Sequence, residues 1–360
     1  MKKITSSILF TLSFTTFIFA QSSYIDTSFG DNGVSNHKIT EYVFFETSLN
    51  MGVTDSGKIV KTCLSEDSEG NQSHIITQYT SQGGLDTNFG NNGVLEIANF
   101  NATNLITKGE DIYVCGTSAI NGKLGILKLN SIGNVVTSFG DNGFALISEN
   151  VLSFGISIKI DSNNKFVVAG KAFIEDERQL IIARFNENGS VDTSFGTNGV
   201  LQFSLTNIIE VEEIQEVKLE LFNNNDIFVA GVAVLPEDGT PTGDLEYNEF
   251  AVKATQNGVL DTTFGNNGIA IFYDITASQA DIYASHILSN GKILISIDGF
   301  DVGDGVTQGD DITGLLRLNS DGTVDTTFGV NGLLKVLSYD YYIFDNNLQY
   351  VYCTFYFIYL

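Results

Sequence analysis

Tryptophan is missing from this sequence, proline occurs twice in 360 residues, and 18 basic side chains stand against 43 acidic ones. A formal charge of −25 excludes a general electrostatic affinity for nucleic acid or for anionic lipid. Three cysteines (Cys63, Cys115, Cys353) are too few for a disulfide framework and show no paired spacing, so a core must hold the fold. The three histidines (His37, His74, His286) lack metal-ligand spacing. No nucleophile elbow, P-loop or dinucleotide fingerprint is present. The lack of tryptophan also removes the best platform for stacking a sugar ring.

What is present begins with a leader. Lys2 and Lys3 precede a mainly apolar run from Ile8 to Phe19, and Ala20 stands before Gln21-Ser22-Ser23. The run is too short for a membrane span and is followed by polar residues, so residues 1–20 are expected to be a signal peptide. Residues 21–360 are expected to form one domain, secreted or at the cell surface, monomeric and not inserted in a membrane.

The dominant signal is a motif found six times: IDTSFGDNG from Ile25, LDTNFGNNG from Leu85, VVTSFGDNG from Val135, VDTSFGTNG from Val191, LDTTFGNNG from Leu260 and VDTTFGVNG from Val324. Its phenylalanines are Phe29, Phe89, Phe139, Phe195, Phe264 and Phe328, spaced 60, 50, 56, 69 and 64 residues apart. Thr, Phe, Gly, Asn and Gly recur in every copy, and Asp is replaced once, by Val136. Between copies run two β-type segments around a short polar turn, as in ISIKIDSNNKFVVAG, and then a third, as in LIIARFN. The glycine that closes each motif opens a fourth, as in VLQF. Four antiparallel strands (A, B, C and D) make a sheet too small to stand alone, and radial stacking of such sheets gives a propeller. The sequence starts with a motif and a spare D strand, GVSNHKI, and its last unit has an A–B hairpin and a C strand but no D. The expected fold is all-β: a six-bladed propeller closed by pairing of the N-terminal D strand with the C-terminal blade, which removes open sheet edges.

The DTxFGxNG motif, carried by Asp26, Thr27, Phe29, Gly30 and Gly33 and their counterparts, resembles the delta-60 repeat, a family of secreted bacterial repeat proteins. The resemblance spans all six copies. It implies a β-propeller and export, and no chemistry.

The motif is expected to be structural, because a site repeated once per unit would have to be a sixfold site. Asp suits a turn, glycine a positive φ, and the phenylalanine a plug between blades. A–B and C–D turns share one face; B–C loops and D–A links share the other, where variable loops would bind. The B–C loops are acidic: Glu66, Asp67 and Glu69 in the first, Glu175, Asp176 and Glu177 in the third. Insertions in the fourth (LPEDGTPTGDLEYNE, with Glu237, Asp238, Asp244, Glu246 and Tyr247) and the fifth (Asp298, Asp301, Asp304, Asp310, Asp311) are expected to meet, beside the D–A link with Glu210, Glu212, Glu213 and Glu216. Asp301, Asp304, Asp310 and Asp311 are candidate Ca²⁺ ligands, although the spacing is not that of an EF-hand; no other cofactor is implied. Glu237, Asp238, Asp244, Tyr247 and Tyr283 are candidates for the ligand face. The expected role is a binding scaffold for protein or glycan and not an enzyme. The alternatives are a carbohydrate-active or other hydrolytic enzyme using surface carboxylates, and a purely structural exported protein.

Overall fold

The computed structural model describes residues 28–31, 34–35, 45–67, 69–149, 151–174, 177–206, 209–235, 247–272, 278–300 and 311–337. The leader, most of the spare D strand, and the C-terminal A–B hairpin and C strand lie outside these residues.

Among the described residues, twenty strands form five four-stranded antiparallel sheets, each in chain order. The first holds β1 (Phe45–Val53), β2 (Ile59–Glu66), β3 (Gln72–Tyr79) and β4 (Val94–Glu96). The second holds β5 (Phe100–Lys108), β6 (Asp111–Ser118), β7 (Leu124–Leu129) and β8 (Phe144–Leu146). β9 (Leu152–Ile160), β10 (Phe166–Ile174), β11 (Glu177–Phe185) and β12 (Val200–Ser204) form the third. β13 (Glu213–Leu221), β14 (Ile227–Val234), β15 (Tyr247–Ala254) and β16 (Ile269–Phe272) form the fourth. The fifth comprises β17 (Ser278–Ile287), β18 (Ile293–Phe300), β19 (Asp311–Leu318) and β20 (Leu333–Leu337). The A strands pack side by side from sheet to sheet, β1 on β5, β5 on β9, β9 on β13 and β13 on β17. The D strands carry the opposite edges. This is the arrangement of propeller blades.

The B strands read as unbroken apolar runs because both their faces are covered. In β10, Val167 and Ala169 enter the core shared with the fourth sheet, while Phe166 and Val168 enter the core shared with the second. In β14, Ile227 and Val229 face the third sheet, and Phe228 and Ala230 face the fifth. Period-two alternation thus persists with both registers apolar.

One feature had no sequence signature. Every described A strand is bulged at the same level: between Ser48 and Asn50, Ala102 and Asn104, Gly155 and Ser157, Gln215 and Lys218, and Ile282 and Ala284. In the second and third sheets the bulge drives backbone against the facing B strand, where a glycine stands. A Cβ on Gly116 would lie 2.0 Å from the Asn101 carbonyl oxygen, and one on Gly170 would lie 1.8 Å from that of Phe154. Cys115 is fully buried beside this point, and burial pushes its thiol up to about 12. It is an inert thiol. Cys63 is likewise buried and in no disulfide.

The repeated motif as an inter-sheet clasp

The motif phenylalanines fill the gaps between sheets. Phe89, Phe195 and Phe264 are fully buried and Phe139 nearly so, each in the core shared by its own sheet and the next. Burying a ring of this size contributes roughly 1.5–3 kcal/mol. Phe29 and Phe328, in the first and last copies, are half-buried. Each ring sits against one glycine in the C–D turn of the following sheet: Phe29 on Gly83, Phe89 on Gly133, Phe139 on Gly189, Phe195 on Gly258 and Phe264 on Gly322.

The glycine after each phenylalanine locks this contact. Its N–H donates across the gap to a carbonyl of the same turn: Gly30 to Gln82 (2.7 Å), Gly90 to Ile132 (3.0 Å), Gly140 to Asn188 (2.8 Å), Gly196 to Asn257 (2.9 Å) and Gly265 to Asp321 (2.7 Å). That glycine has φ between 51° and 56° in all six copies. The motif asparagine, at Asn92, Asn142, Asn198, Asn267 and Asn331, also adopts φ of 52–54°. Asparagine tolerates the left-handed region better than other side chains, which explains why it recurs with the glycines.

The two oxygens of the motif aspartate divide the work. One accepts from the residue two places on: for Asp192, the Ser194 N–H at 3.2 Å and its hydroxyl at 2.6 Å. The other pairs with cations of the same sheet, Lys165 and Arg184, both at 2.7 Å. Asp86–Lys58, Asp261–Lys253 and Asp325 with Lys292 and Arg317 repeat the pattern. Arg184 also donates to the Gln256 carbonyl of the next sheet. In the first sheet the Gln78 amide lies between Asp86 and the Ser131 carbonyl, and with its nitrogen turned toward them it donates to both (2.9 and 3.2 Å). The copy that lacks aspartate is compensated. Beside Val136, Lys128 pairs instead with Asp111 at 2.7 Å, an acid at the position held elsewhere by Lys58, Lys165 and Lys292.

These bonds set an acid limit on stability. Hydrogen bonds from Lys253 and Thr263 hold the Asp261 carboxyl at about 2, below its ordinary 3.8. At Asp192 burial pushes upward, but Lys165, Ser194 and Arg184 outweigh it and hold the group well below the usual range. Asp325 is held low by Lys292 and Thr327. A carboxyl whose folded pKa lies below its unfolded one stabilises fully above the unfolded value and stops doing so as pH falls through the folded value. The urea midpoint is therefore expected to hold down to about pH 4 and to fall steeply between pH 4 and 2. Asp261→Asn should flatten that fall and cost roughly 1–2 kcal/mol at neutral pH. An acid-insensitive midpoint would contradict the pairing.

Candidate functional site

The motif face is occupied by its own bonding. Besides the C–D clasps, its A–B turns bond each other: Ser56 donates to Glu110 through N–H (2.8 Å) and hydroxyl (2.9 Å), and Ser162 N–H donates to Asn225 (3.0 Å). The opposite face, with the B–C loops and D–A links, is where candidate ligand residues were expected.

Several of the expected acids are committed to the fold. Asp67 is a turn former; hydrogen bonds from the Asn71 side chain and N–H, and from Glu69 N–H, hold its carboxyl low. Glu66 accepts from the Gln72 amide at 3.1 Å. Glu213 takes Lys171 and Arg178 of the third sheet, tying it to the fourth. Glu216 pairs with Lys218 at 2.9 Å. Glu210 and Glu212 are exposed. Glu175, Asp176, Glu237, Asp238, Asp244, Asp301, Asp304 and Asp310 lie outside the described residues. Asp311 opens β19 opposite Phe300. Among the described residues, no group of three or more His, Cys, Asp or Glu side chains stands together to hold a metal ion. Tyr247 opens β15 half-buried, packed against the core between the fourth and fifth sheets, and so is a poor free platform. Tyr283, at the bulge of β17, is 50% exposed.

The clearest surface feature of this face is apolar. At the start of β9 the usual alternation is inverted: Leu152 (59% exposed) and Phe154 (38%) face out, while Ser153 is buried. The Ser153 hydroxyl accepts the Leu124 N–H at 2.9 Å, and its carbonyl accepts the Thr117 hydroxyl at 3.2 Å, which fixes the inward register. Ile120, in the neighbouring B–C turn, is 77% exposed. Phe173 meets Phe154 edge-on at 6.0 Å, and the Arg178 guanidinium lies 3.6 Å over the Phe173 ring. Aromatic, aliphatic and arginine side chains of this kind are the usual anchors of interfaces. The sequence reading looked for charge and passed over this patch; the signal was a serine flanked by two large apolar residues at a strand start.

A family model described as "Domain of unknown function (DUF5122) beta-propeller" matches residues 162–195 and 288–328. Both stretches run from an A–B turn through B and C to the motif phenylalanine, which supports a β-propeller repeat family. The comparison with curated proteins finds no match. Similar solved structures include an α-L-arabinofuranosidase from Lactobacillus brevis, with 11% identity over 79% of this chain and 94% of that one, at TM-score 0.39. The β-propeller domain of the Trilobed protease from Pyrococcus furiosus, described with an open velcro topology, has 10% identity over 78% and 94%, at TM-score 0.32. A fucose lectin from Kordia zhangzhouensis in complex with methyl-fucoside has 10% identity over 51% and 99%, at TM-score 0.28. The expectation that this chain is not an enzyme does not stand, because it rested on an absence of linear motifs. Missing linear motifs do not exclude catalysis, because catalytic groups converge in space from separate strands. Likeness at this level assigns no activity to the chain.

Proposed function

We propose that the chain is an exported β-propeller scaffold of six blades that presents a binding face for a protein or glycan partner on its B–C side. The observation that carries the reading is the inverted start of β9, which leaves Leu152 and Phe154 outward beside Ile120. Aromatic and aliphatic side chains clustered at the surface mark interaction sites, whereas single exposed ones do not. The opposite face is spent on clasps, which supports the assignment of sides.

Six blades and ring closure are part of this reading. Support comes from the first motif, whose Phe29 and Gly30 take the same place against the first sheet that the next four motifs take against their successors, with Ser35 donating to the Gly83 carbonyl at 2.6 Å. That motif belongs to a unit whose other strands are read at the C-terminal end of the sequence. Export rests on the leader, and monomeric behaviour on closure of the sheet edges.

The test is capture from the native cell-surface fraction by the full mature chain, against the Leu152→Glu, Phe154→Ser double variant. Specific capture by the parent, lost in a variant of unchanged melting temperature, is expected. Equal capture by both would overturn the assignment of the face.

A further inference from the structure

A second surface feature starts at Ile120, which it shares with this patch, and runs away from Leu152 and Phe154. Along the outer edge of β8, between the second and third sheets, runs a cleft of about 640 Å³. Such a volume falls within the range of small-ligand sites, roughly 300–1,000 Å³. It exists because the clasp draws the next sheet's turn over the motif and leaves the short outer strand uncovered. Phe144 and Leu146 give it an apolar wall, and Ile120 a second apolar surface at its end. Side-chain amides and hydroxyls, among them Asn121, Ser138 and Ser190, supply the polar groups. A cleft of about 350 Å³ lies one unit on, lined by Thr197, Leu201 and Gln202.

The lining selects by exclusion. It contains no Lys, Arg or His, and the chain carries −25 formal charge, so an anion has nothing to pair with and a field against it. Its one carboxylate, Asp141, already accepts from Asn142 at 2.8 Å, which is a poor basis for holding a cation. A wholly apolar ligand would strip water from amides and hydroxyls without replacing it. An uncharged ring that bears hydroxyls and one C–H face satisfies both kinds of wall, since carboxamides and hydroxyls each donate and accept. We infer that this cleft binds a neutral oligosaccharide. The inference rests on the scaffold reading above and adds to it a site and a ligand class.

The test is calorimetric titration of the full mature chain with uncharged trisaccharides of glucose, mannose, galactose, xylose and N-acetylglucosamine. At least one is expected to bind with Kd below about 1 mM. Ser138→Tyr, which fills the cleft from an exposed position, and Ile120→Ser, which removes the apolar end, should each weaken it tenfold or more with unchanged melting temperature. No binding at about 10 mM sugar, or binding indifferent to both substitutions, would overturn the inference. So would an extended peptide, added as a strand to the free edge of β8, being the sole ligand lost in Ser138→Tyr. The Leu152→Glu, Phe154→Ser variant should keep full sugar affinity, so failure of the cleft and failure of the B–C face are read separately.

Discussion

Phe195→Ala is expected to lower stability by roughly 3–5 kcal/mol, the cost of a large cavity in a core that cannot collapse into it. The ring is fully buried between the third and fourth sheets, with the Arg184 guanidinium 4.8 Å above it. The walls are held apart by bonds that survive the substitution. Gly196 still donates to Asn257, and Asp192 still holds Arg184 and Lys165. Phe328→Ala, at a half-buried copy, should cost clearly less. Urea denaturation of the two variants beside the parent checks both size and order; an unchanged midpoint for Phe195→Ala would refute the plug.

Gly258→Ala is the second large effect, expected at roughly 3 kcal/mol or more. Two costs combine at this site. Its φ of +76° disfavours any side chain, and a Cβ would lie 2.6 Å from the Gly196 nitrogen and 2.9 Å from the Phe195 ring. The methyl group would therefore push the clasp apart. Gly70→Ala separates these costs, because Gly70 has φ +83° and nothing within 4 Å of a built Cβ. It should show the conformational cost alone, about 1 kcal/mol. Equal losses in the two variants would mean that the turn does not press on the motif.

Much of this was legible in the sequence, because a repeat repeats its own evidence. Phe89, Phe139, Phe195 and Phe264 could be read as plugs, since a large apolar residue in a polar loop has no other reason to recur. The hairpins were legible from polar turns between β-type runs, and all five lie where the pattern puts them. The A-strand bulges were not, because Thr103, Ile156 and Tyr283 share no chemistry and the bulge is set by packing between sheets. Nor was the exchange of Val136 with Asp111, two residues 25 positions apart that meet through Lys128. Charge was over-read. Glu213 looked like a free acid in a run of acids, yet its partners Lys171 and Arg178 come from the preceding sheet. The outward Leu152 and Phe154 were passed over, because hydrophobicity alone does not reveal that the inward register of Ser153 turns them to the surface.

A motif glycine fastens each described unit to the next, and the proposed closure of the ring extends this clasp to Gly329. Amide hydrogen exchange at the six glycines Gly30, Gly90, Gly140, Gly196, Gly265 and Gly329 measures it directly, since a clasped N–H exchanges only on opening of the interface. All six are expected to exchange as slowly as core-strand amides. Rapid exchange at Gly329 beside five slow amides would contradict closure, and rapid exchange at all of them would contradict the clasp itself.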